Sequence, residues 1–174
     1  MKQIAKQAGF TLIELLIYVA IFATIIGAVV GLAVVSSAQK TSSQITAEVN
    51  YQGEAVMALI TQTVRQSTAI ASPAAGNSSG NLTLTMANAA VNPTAFGLVS
   101  NGNTMSLQMS EGTPAINNML TNGRVTVSNV SFTNMSLPST KGSVQIRFTI
   151  TYRTTSQRQE LQFSKVFTGA ATIP

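Results

Sequence analysis

An uncharged apolar run from Leu15 to Val35 is the feature that most constrains how this chain can fold. The run contains no proline, and as an α-helix its 21 residues would span roughly 31 Å, the thickness of one hydrocarbon core. Lys2 and Lys6 precede it, so the positive-inside rule predicts a cytoplasmic N-terminus and an exported remainder. The sequence therefore predicts a single-pass membrane protein.

Two simpler interpretations of this run compete with that prediction. An ordinary signal peptide would have an apolar region of about 7 to 15 residues with a small-residue cleavage site after it. Ala33 and Ala38 imitate such a site, but the run is too long. A generic signal anchor fits the length and gives no reason for the acid that lies near its start.

That acid is Glu14, which lies one turn inside the apolar helix. An ionised carboxylate in such a place costs about 2 to 3 kcal/mol, so it needs a partner. Cleavage after Gly9 would create one, because the new amino group on Phe10 is cationic. Between neighbouring helices staggered by a few residues, the amine of one subunit would meet the carboxylate of the next and select a register.

The segment Gly9-Phe-Thr-Leu-Ile-Glu14, with a short basic leader before it and the apolar run after it, resembles the N-terminal signal of type IV pilins and type II secretion pseudopilins. The resemblance covers roughly the first 35 residues. It implies that a prepilin peptidase cuts between Gly9 and Phe10 and that Phe10 becomes the N-methylated terminus. It also implies that Glu14 recruits and aligns subunits in a filament.

Gly27 and Gly31 form a G-x-x-x-G pair within the same helix. One interpretation is close helix packing in the filament core. The other is that glycine is simply common in membrane helices, and so short a pattern does not separate the two. Many major pilins carry a proline in this segment, and this sequence has none.

Beyond Val35 the helical period continues as an amphipathic stripe that predicts one helix from about Thr11 to Ala71. The breaker cluster Ser72–Gly80 then leads into period-two segments. The sequence thus predicts a leader at 1–9, a membrane and filament-core helix at 10–35, its amphipathic continuation at 36–72, and a β-rich outer domain at 73–174. The stripe comprises Ile45, Val49, Val56, Leu59, Ile60, Thr63 and Val64.

The strand predictions make the fold class α+β, a long N-terminal helix packed on an antiparallel sheet. The cleanest strand alternates from Val144 to Tyr152, and Leu161 and Phe163 are expected to begin its hairpin partner after a turn near 154–156. The apolar phase slips between Val127 and Val130, which predicts a bulge. Two further strands are expected to turn Leu82, Leu84, Met86, Met105, Leu107 and Met109 inward.

Composition argues against catalysis. Cysteine and histidine are absent, which excludes thiol and imidazole catalysis and the usual zinc and copper sites. The acids are five scattered glutamates, so paired-carboxylate chemistry would need distant residues to converge. We therefore predict no enzyme, no metal site and no cofactor. The acids are Glu14, Glu48, Glu54, Glu111 and Glu160.

The sequence favours a structural subunit that works by assembly. Its layout is most similar to a minor pseudopilin of the J class or its pilus counterpart, since it lacks the cysteines and the acidic C-terminal loop of many major subunits. The expected partners are other pilin subunits, the prepilin peptidase, an inner-membrane assembly platform, and lipid before assembly. The alternative is a filament-borne module that binds DNA, a surface or a secreted substrate through Arg124, Arg147, Arg153, Arg158 and Lys165.

Overall fold

A computed structural model describes residues 11–137, 142–154 and 161–174, apart from the side chain of Ala38. The chain divides into two compact units, one that ends at Thr41 and one that runs from Ser42 to Pro174. The one α-helix among the described residues contributes to both units. The elements in order are α1 (Leu12–Gln66), β1 (Ser67–Ser72), β2 (Ser78–Ser79), β3 (Leu82–Met86), a 3-10 turn (Ala89–Val91), β4 (Thr94–Asn101), β5 (Thr104–Glu111), β6 (Ile116–Met119), β7 (Val125–Asn134), β8 (Ser143–Tyr152) and β9 (Ser164–Thr172).

The described strands form two antiparallel sheets. One has five strands in the order β1-β3-β4-β5-β6, and the other has four in the order β2-β7-β8-β9. The α+β prediction of a long helix packed on antiparallel strands is confirmed, although the strands make two sheets rather than one. The sheets meet where β5 passes β7, because the backbone amide of Met105 donates to Oγ1 of Thr126 at 3.1 Å.

The helix supplies the amphipathic stripe of the second unit. Val49, Ile60 and Val64 are fully buried there and share one core with inward-facing residues of both sheets. Apolar side chains three, four and seven positions apart project from one face of a helix, which is why the period found in the sequence lies against the strands. Leu59 is the exception, since it is only half-buried at the edge of the stripe.

The helix ends earlier than predicted. It stops at Gln66 rather than near Ala71, and the next six residues form β1, which pairs with β3. The hydroxyl of Ser67 donates to the carbonyl oxygen of Val64 at 2.7 Å, so a side chain binds a carbonyl of the last helical turn. The amphipathic helix therefore ends short of the predicted residue 72.

Strands β7 and β8 follow their sequence patterns closely. Val144, Ile146, Phe148 and Ile150 are fully buried, as predicted. The pairing of β7 with β8 shifts between Ser128 and Ser131, which confirms the predicted bulge, and Asn129 within it has a φ of 51°. Asparagine is one of the few residues that tolerate this left-handed conformation.

Strand β9 begins later than predicted. It pairs with β8 in the expected hairpin, but it starts at Ser164, after Leu161 and Phe163. The carbonyl oxygen of Phe163 accepts a hydrogen bond from the Tyr152 amide at 2.8 Å. The segment before β9 is therefore already close to the end of β8 before the strand pairing begins. The predicted turn near 154–156 lies mostly outside the described residues.

Strand β5 departs from the predicted alternation. Leu107 is buried and Met109 packs against the core, but Met105 is 40% exposed, while Thr104 and Ser106 are buried. This is the point where β7 crosses β5, so side chains of the face opposite Leu107 are also covered. The prediction that Met105 fills the core is therefore wrong.

Glycines let α1 and β9 approach closely. A Cβ on Gly53 would overlap the ring of Phe167, and one on Gly169 would lie 2.6 Å from Sδ of Met57. Gly53 therefore gives the aromatic ring of Phe167 the space that any larger residue of α1 would fill.

Candidate functional site

The N-terminal part of α1 presents its apolar side chains outward. Within the first unit, the large hydrophobic residues from Leu12 to Val35 are between 47% and 78% exposed. By length and composition α1 is able to cross a membrane. Exposing so much apolar surface to water is energetically unfavourable. Such a surface is typical of a segment that is covered by lipid or by other chains.

The hydroxyl in the middle of this segment is internally satisfied. Oγ1 of Thr24 donates to the carbonyl oxygen of Ile21 at 2.7 Å and also lies 3.2 Å from that of Ala20. A threonine bonded in this way does not need a partner in an apolar surrounding. Glu14 is different, because it carries a charge.

Glu14 occupies the third helical position of α1, and Thr11 is the residue that caps the helix. The backbone amide of Glu14 donates to Oγ1 of Thr11 at 3.3 Å, which is one half of a capping box. Sequence reasoning missed this role, although the Thr-x-x-Glu pattern before an apolar run is its known signal.

Capping lowers the cost of the acid without removing it. A carboxylate in the first turn interacts favourably with the helix dipole by about 0.3 to 1 kcal/mol. The cost of an acid inside a membrane helix is about 2 to 3 kcal/mol. The cost of the acid in the membrane exceeds its gain from the helix dipole. The structure of the first turn alone therefore does not explain why an acid is present at position 14.

The remaining predicted assembly residues stay predictions. Gly9 and Phe10, the expected cleavage and methylation positions, lie outside the described residues. Gly27 and Gly31 lie four residues apart in α1, and a Cβ on either would meet no atom within 4 Å. Both border open space in the isolated chain, and close helix packing at them stays a prediction.

The basic residues proposed for binding divide between two places. Lys165 lies on the core-facing side of β9, where Nζ donates to Oδ1 of Asn50 at 2.6 Å and sits 5.0 Å from the centroid of the Phe167 ring. Arg147 is exposed on the opposite side of the same sheet. Arg124 and Arg153 are adjacent, because the amide of Arg153 donates to the carbonyl of Arg124 at 2.8 Å. Arg158 lies outside the described residues.

Glu48 is held by amide side chains. Nδ2 of Asn122 donates to its Oε1 at 2.7 Å, and Nε2 of Gln52 donates to the same oxygen at 3.2 Å. The Asn122 contact ties the helix to the segment before β7, while Gln52 lies on the same helix as Glu48. Across the described ranges, no group of three or more acids, histidines or cysteines is arranged to hold a metal ion.

One comparison with known proteins identifies the N-terminal segment. Residues 4–30 match the family model described as the prokaryotic N-terminal methylation motif. No curated protein and no solved structure matches the chain. The match includes Gly9, Phe10 and Glu14, and with the apolar helix it supports a type IV pilin or pseudopilin precursor that is anchored in a membrane before it enters a filament.

Proposed function

We propose that this chain is a minor pilin or pseudopilin, a subunit of a type IV pilus or of a type II secretion filament. The observation that carries the proposal is an exposed apolar helix segment with Glu14 in its first turn, inside the matched methylation motif. Such a segment is suited to pack against copies of itself or related subunits, and it leaves the β-rich unit outside that packing.

Maturation would convert the membrane precursor into an assembling subunit. A prepilin peptidase would cut between Gly9 and Phe10 and methylate the new terminus. Before assembly, the apolar part of α1 would span the inner membrane with a cytoplasmic N-terminus, in contact with lipid and with an assembly platform. The β-rich unit would then lie in the periplasm or outside the cell.

Assembly would use the acid and the new amine together. The amine of Phe10 in one subunit would meet the carboxylate of Glu14 in its neighbour, in surroundings that contain little water. A pair of opposite charges interacts strongly at low dielectric, and a charge left alone there is costly. Only one axial stagger brings the two groups together, so the pair would select the register of the filament.

The assignment to a minor subunit rests on what the sequence lacks. There is no cysteine to close a disulfide-bonded C-terminal loop, and Glu160 is the only acid between Lys141 and Pro174 with which to build a calcium-binding one. These features favour a subunit present in few copies. The strand layout suggests the J class, for which the family match gives no support of its own.

The test is to purify filaments from the producing cell and measure the intact mass of this chain within them. We expect a chain that begins at Phe10 and carries one methyl group on its terminal amine. The variant Gly9→Val should remain uncut in the membrane fraction, while the neighbouring substitution Ala8→Val should mature normally. A wild-type chain in filaments that retains Met1 to Gly9 would contradict the proposal.

A further inference from the structure

The four-stranded sheet has one side that does not face the core. We call this side the outer face, and it consists of the outward residues of β2, β7, β8 and β9. On β8, Val144, Ile146 and Phe148 point into the core, so Gln145 and Arg147 between them point outward. Paired residues on adjacent strands share a side, which places Ser131 and Thr168 beside Arg147 on this face.

Three arginines lie along the outer face. Arg124 and Arg153 are exposed, and each is next in sequence to a residue that packs inward, Val125 and Tyr152 respectively. Both lie one position beyond their strands, but the amide of Arg153 still donates to the carbonyl of Arg124, so the ladder and its alternation continue and place them on the same side as Arg147. Arg153 lies six positions after Arg147, so the single arginine and the pair lie roughly 20 Å apart.

The outward residues around these arginines are mostly polar, with Val166, which pairs with Thr149, and Ala170, which pairs with Gln145, as apolar exceptions. No acid belongs to β2, β7, β8 or β9 within the part of the chain that the structure describes. The positions between the arginines are mainly hydroxyl side chains, such as Thr149 beside Arg147 and Thr151 beside Arg153. Aromatic rings of these strands, such as Phe148 and Phe167, face the core instead.

We propose that the outer face binds an anionic polysaccharide. Arginines spaced along a flat face would pair with the acidic groups of the polymer, while serine, threonine and glutamine side chains would bond the sugar hydroxyls between those groups. A neutral sugar polymer is less suited, because such polymers typically stack on aromatic rings and the described outer positions offer none.

Nucleic acid fits this face less well than a polysaccharide. Duplex DNA carries one charge per about 1.7 Å of its axis, and proteins that bind it present closely spaced bases. The described outer face has three arginines over about 20 Å. Single-stranded nucleic acid is usually held by aromatic stacking, which requires rings that point outward.

The experiment uses the full chain in detergent micelles, immobilised on a sensor surface. The probes are alginate, which is a polyuronate, the neutral polymer dextran, and mixed-sequence duplex DNA at the same charge concentration. We expect alginate to bind, dextran not to bind, and alginate binding to weaken between about 50 and about 200 mM salt because it depends on charge. DNA should bind more weakly than alginate.

The variants test whether the three arginines are responsible. The triple variant Arg124→Gln, Arg147→Gln, Arg153→Gln should bind alginate at least about tenfold more weakly. Arg65→Gln is the matched control, since it removes an exposed positive charge from the last turn of α1 and should leave binding unchanged. The single variant Arg147→Glu should also weaken the binding of alginate. Circular dichroism of each variant shows whether the fold is retained.

The proposal is overturned if alginate does not bind, if the folded triple variant binds as tightly as the wild type, or if DNA binds more tightly than alginate. The last result would assign the face to nucleic acid. None of these results bears on the filament, because the micelle measurement requires no assembly. Equally, a chain that never enters filaments but binds alginate through the three arginines would contradict only the function proposed above.

Discussion

Two residues define the start of α1, and each has a separate task. Thr11 accepts the hydrogen bond that closes the first turn, while Glu14 supplies the charge. The favourable interaction of that charge with the helix dipole is smaller than the cost of placing it among apolar groups. The difference is a free energy that a neighbouring amine can recover, and this is the physical basis for assigning Glu14 to assembly.

Replacing Glu14 tests this assignment directly. Glu14→Ala should be cut and inserted as in the wild type, but its incorporation into filaments should fall by more than about tenfold, since tenfold corresponds to only about 1.4 kcal/mol. The measurement compares the chain in sheared filaments with the chain in membranes. Glu54→Ala is the control, because it removes an exposed acid further along the same helix. Normal incorporation of Glu14→Ala would exclude the proposed charge pair.

Thr11 should affect the first turn without affecting the rest of the helix. Thr11→Ala removes the cap at a cost of about 1 kcal/mol, so the amide of Glu14 should exchange its hydrogen about fivefold faster in micelles. Thr24→Ala should leave that amide unchanged, because the hydroxyl of Thr24 bonds only within its own turn. Equal exchange in both variants would mean that Thr11 does not cap α1.

At the scale of elements, the contact between α1 and β9 depends on Gly53. A glycine in a helix interior normally lowers stability by about 1 kcal/mol relative to alanine. Here the missing Cβ makes room for the ring of Phe167, which stacks on Phe148 with centroids 5.5 Å apart. The two effects have opposite signs, and the steric one should be larger because the ring is enclosed.

Gly53→Ala should therefore destabilise the β-rich unit by about 1 to 2 kcal/mol, despite its better helix propensity. Chemical denaturation followed by circular dichroism would measure the change. The same substitution should cost less when Phe167 is leucine, since the smaller side chain leaves space for the new methyl group. Gly31→Ala is the control, as no atom lies within 4 Å of its Cβ position. An increase in stability with Gly53→Ala would contradict the close packing.

Sequence reasoning predicts an element well when its pattern is local. The alternation on β8 and the phase slip on β7 are visible within about ten residues, and both are confirmed. The end of α1 is not visible in this way, because Ala69 and Ile70 are compatible with helix or strand and become strand only by pairing with β3. Met105 is likewise exposed although Leu107 and Met109 of the same strand pack inward, and the local alternation does not encode that difference.

At the scale of the whole molecule, the second unit has one core that the helix and both sheets share. Ile60 on α1, Leu84 on β3 and Ile146 on β8 are all fully buried within it. Neither sheet has a core of its own, so the unit should lose its structure in one cooperative step.

The cleavage and methylation positions, in contrast, are predicted from a motif alone, because Gly9 and Phe10 lie outside the described residues.

Two isoleucines on the same helix test the division into units. Ile60→Ala should destabilise the β-rich unit by about 2 to 5 kcal/mol, because it leaves a cavity in the core. Ile25→Ala should leave the unfolding of that unit unchanged, since Ile25 is 55% exposed in the other unit. Denaturation in micelles, followed by near-ultraviolet circular dichroism, reports on the core through its buried phenylalanines and through Tyr152, which packs against it. Similar losses for the two variants would show that the units do not unfold separately.

The bulge on β7 has a consequence for how this protein can change its length. Before the bulge Val125 and Val127 are buried, and after it Phe132 and Asn134 are buried, so the inward phase passes from odd to even positions. Losing one residue at Asn129 would remove the extra residue and leave a regular strand in which Phe132 and Asn134 still face the core, in phase with Val125 and Val127. A gene that drops one codon here would therefore harm the fold less than one that drops a codon in the regular strand β8, where every side chain beyond the deletion would change sides of the sheet.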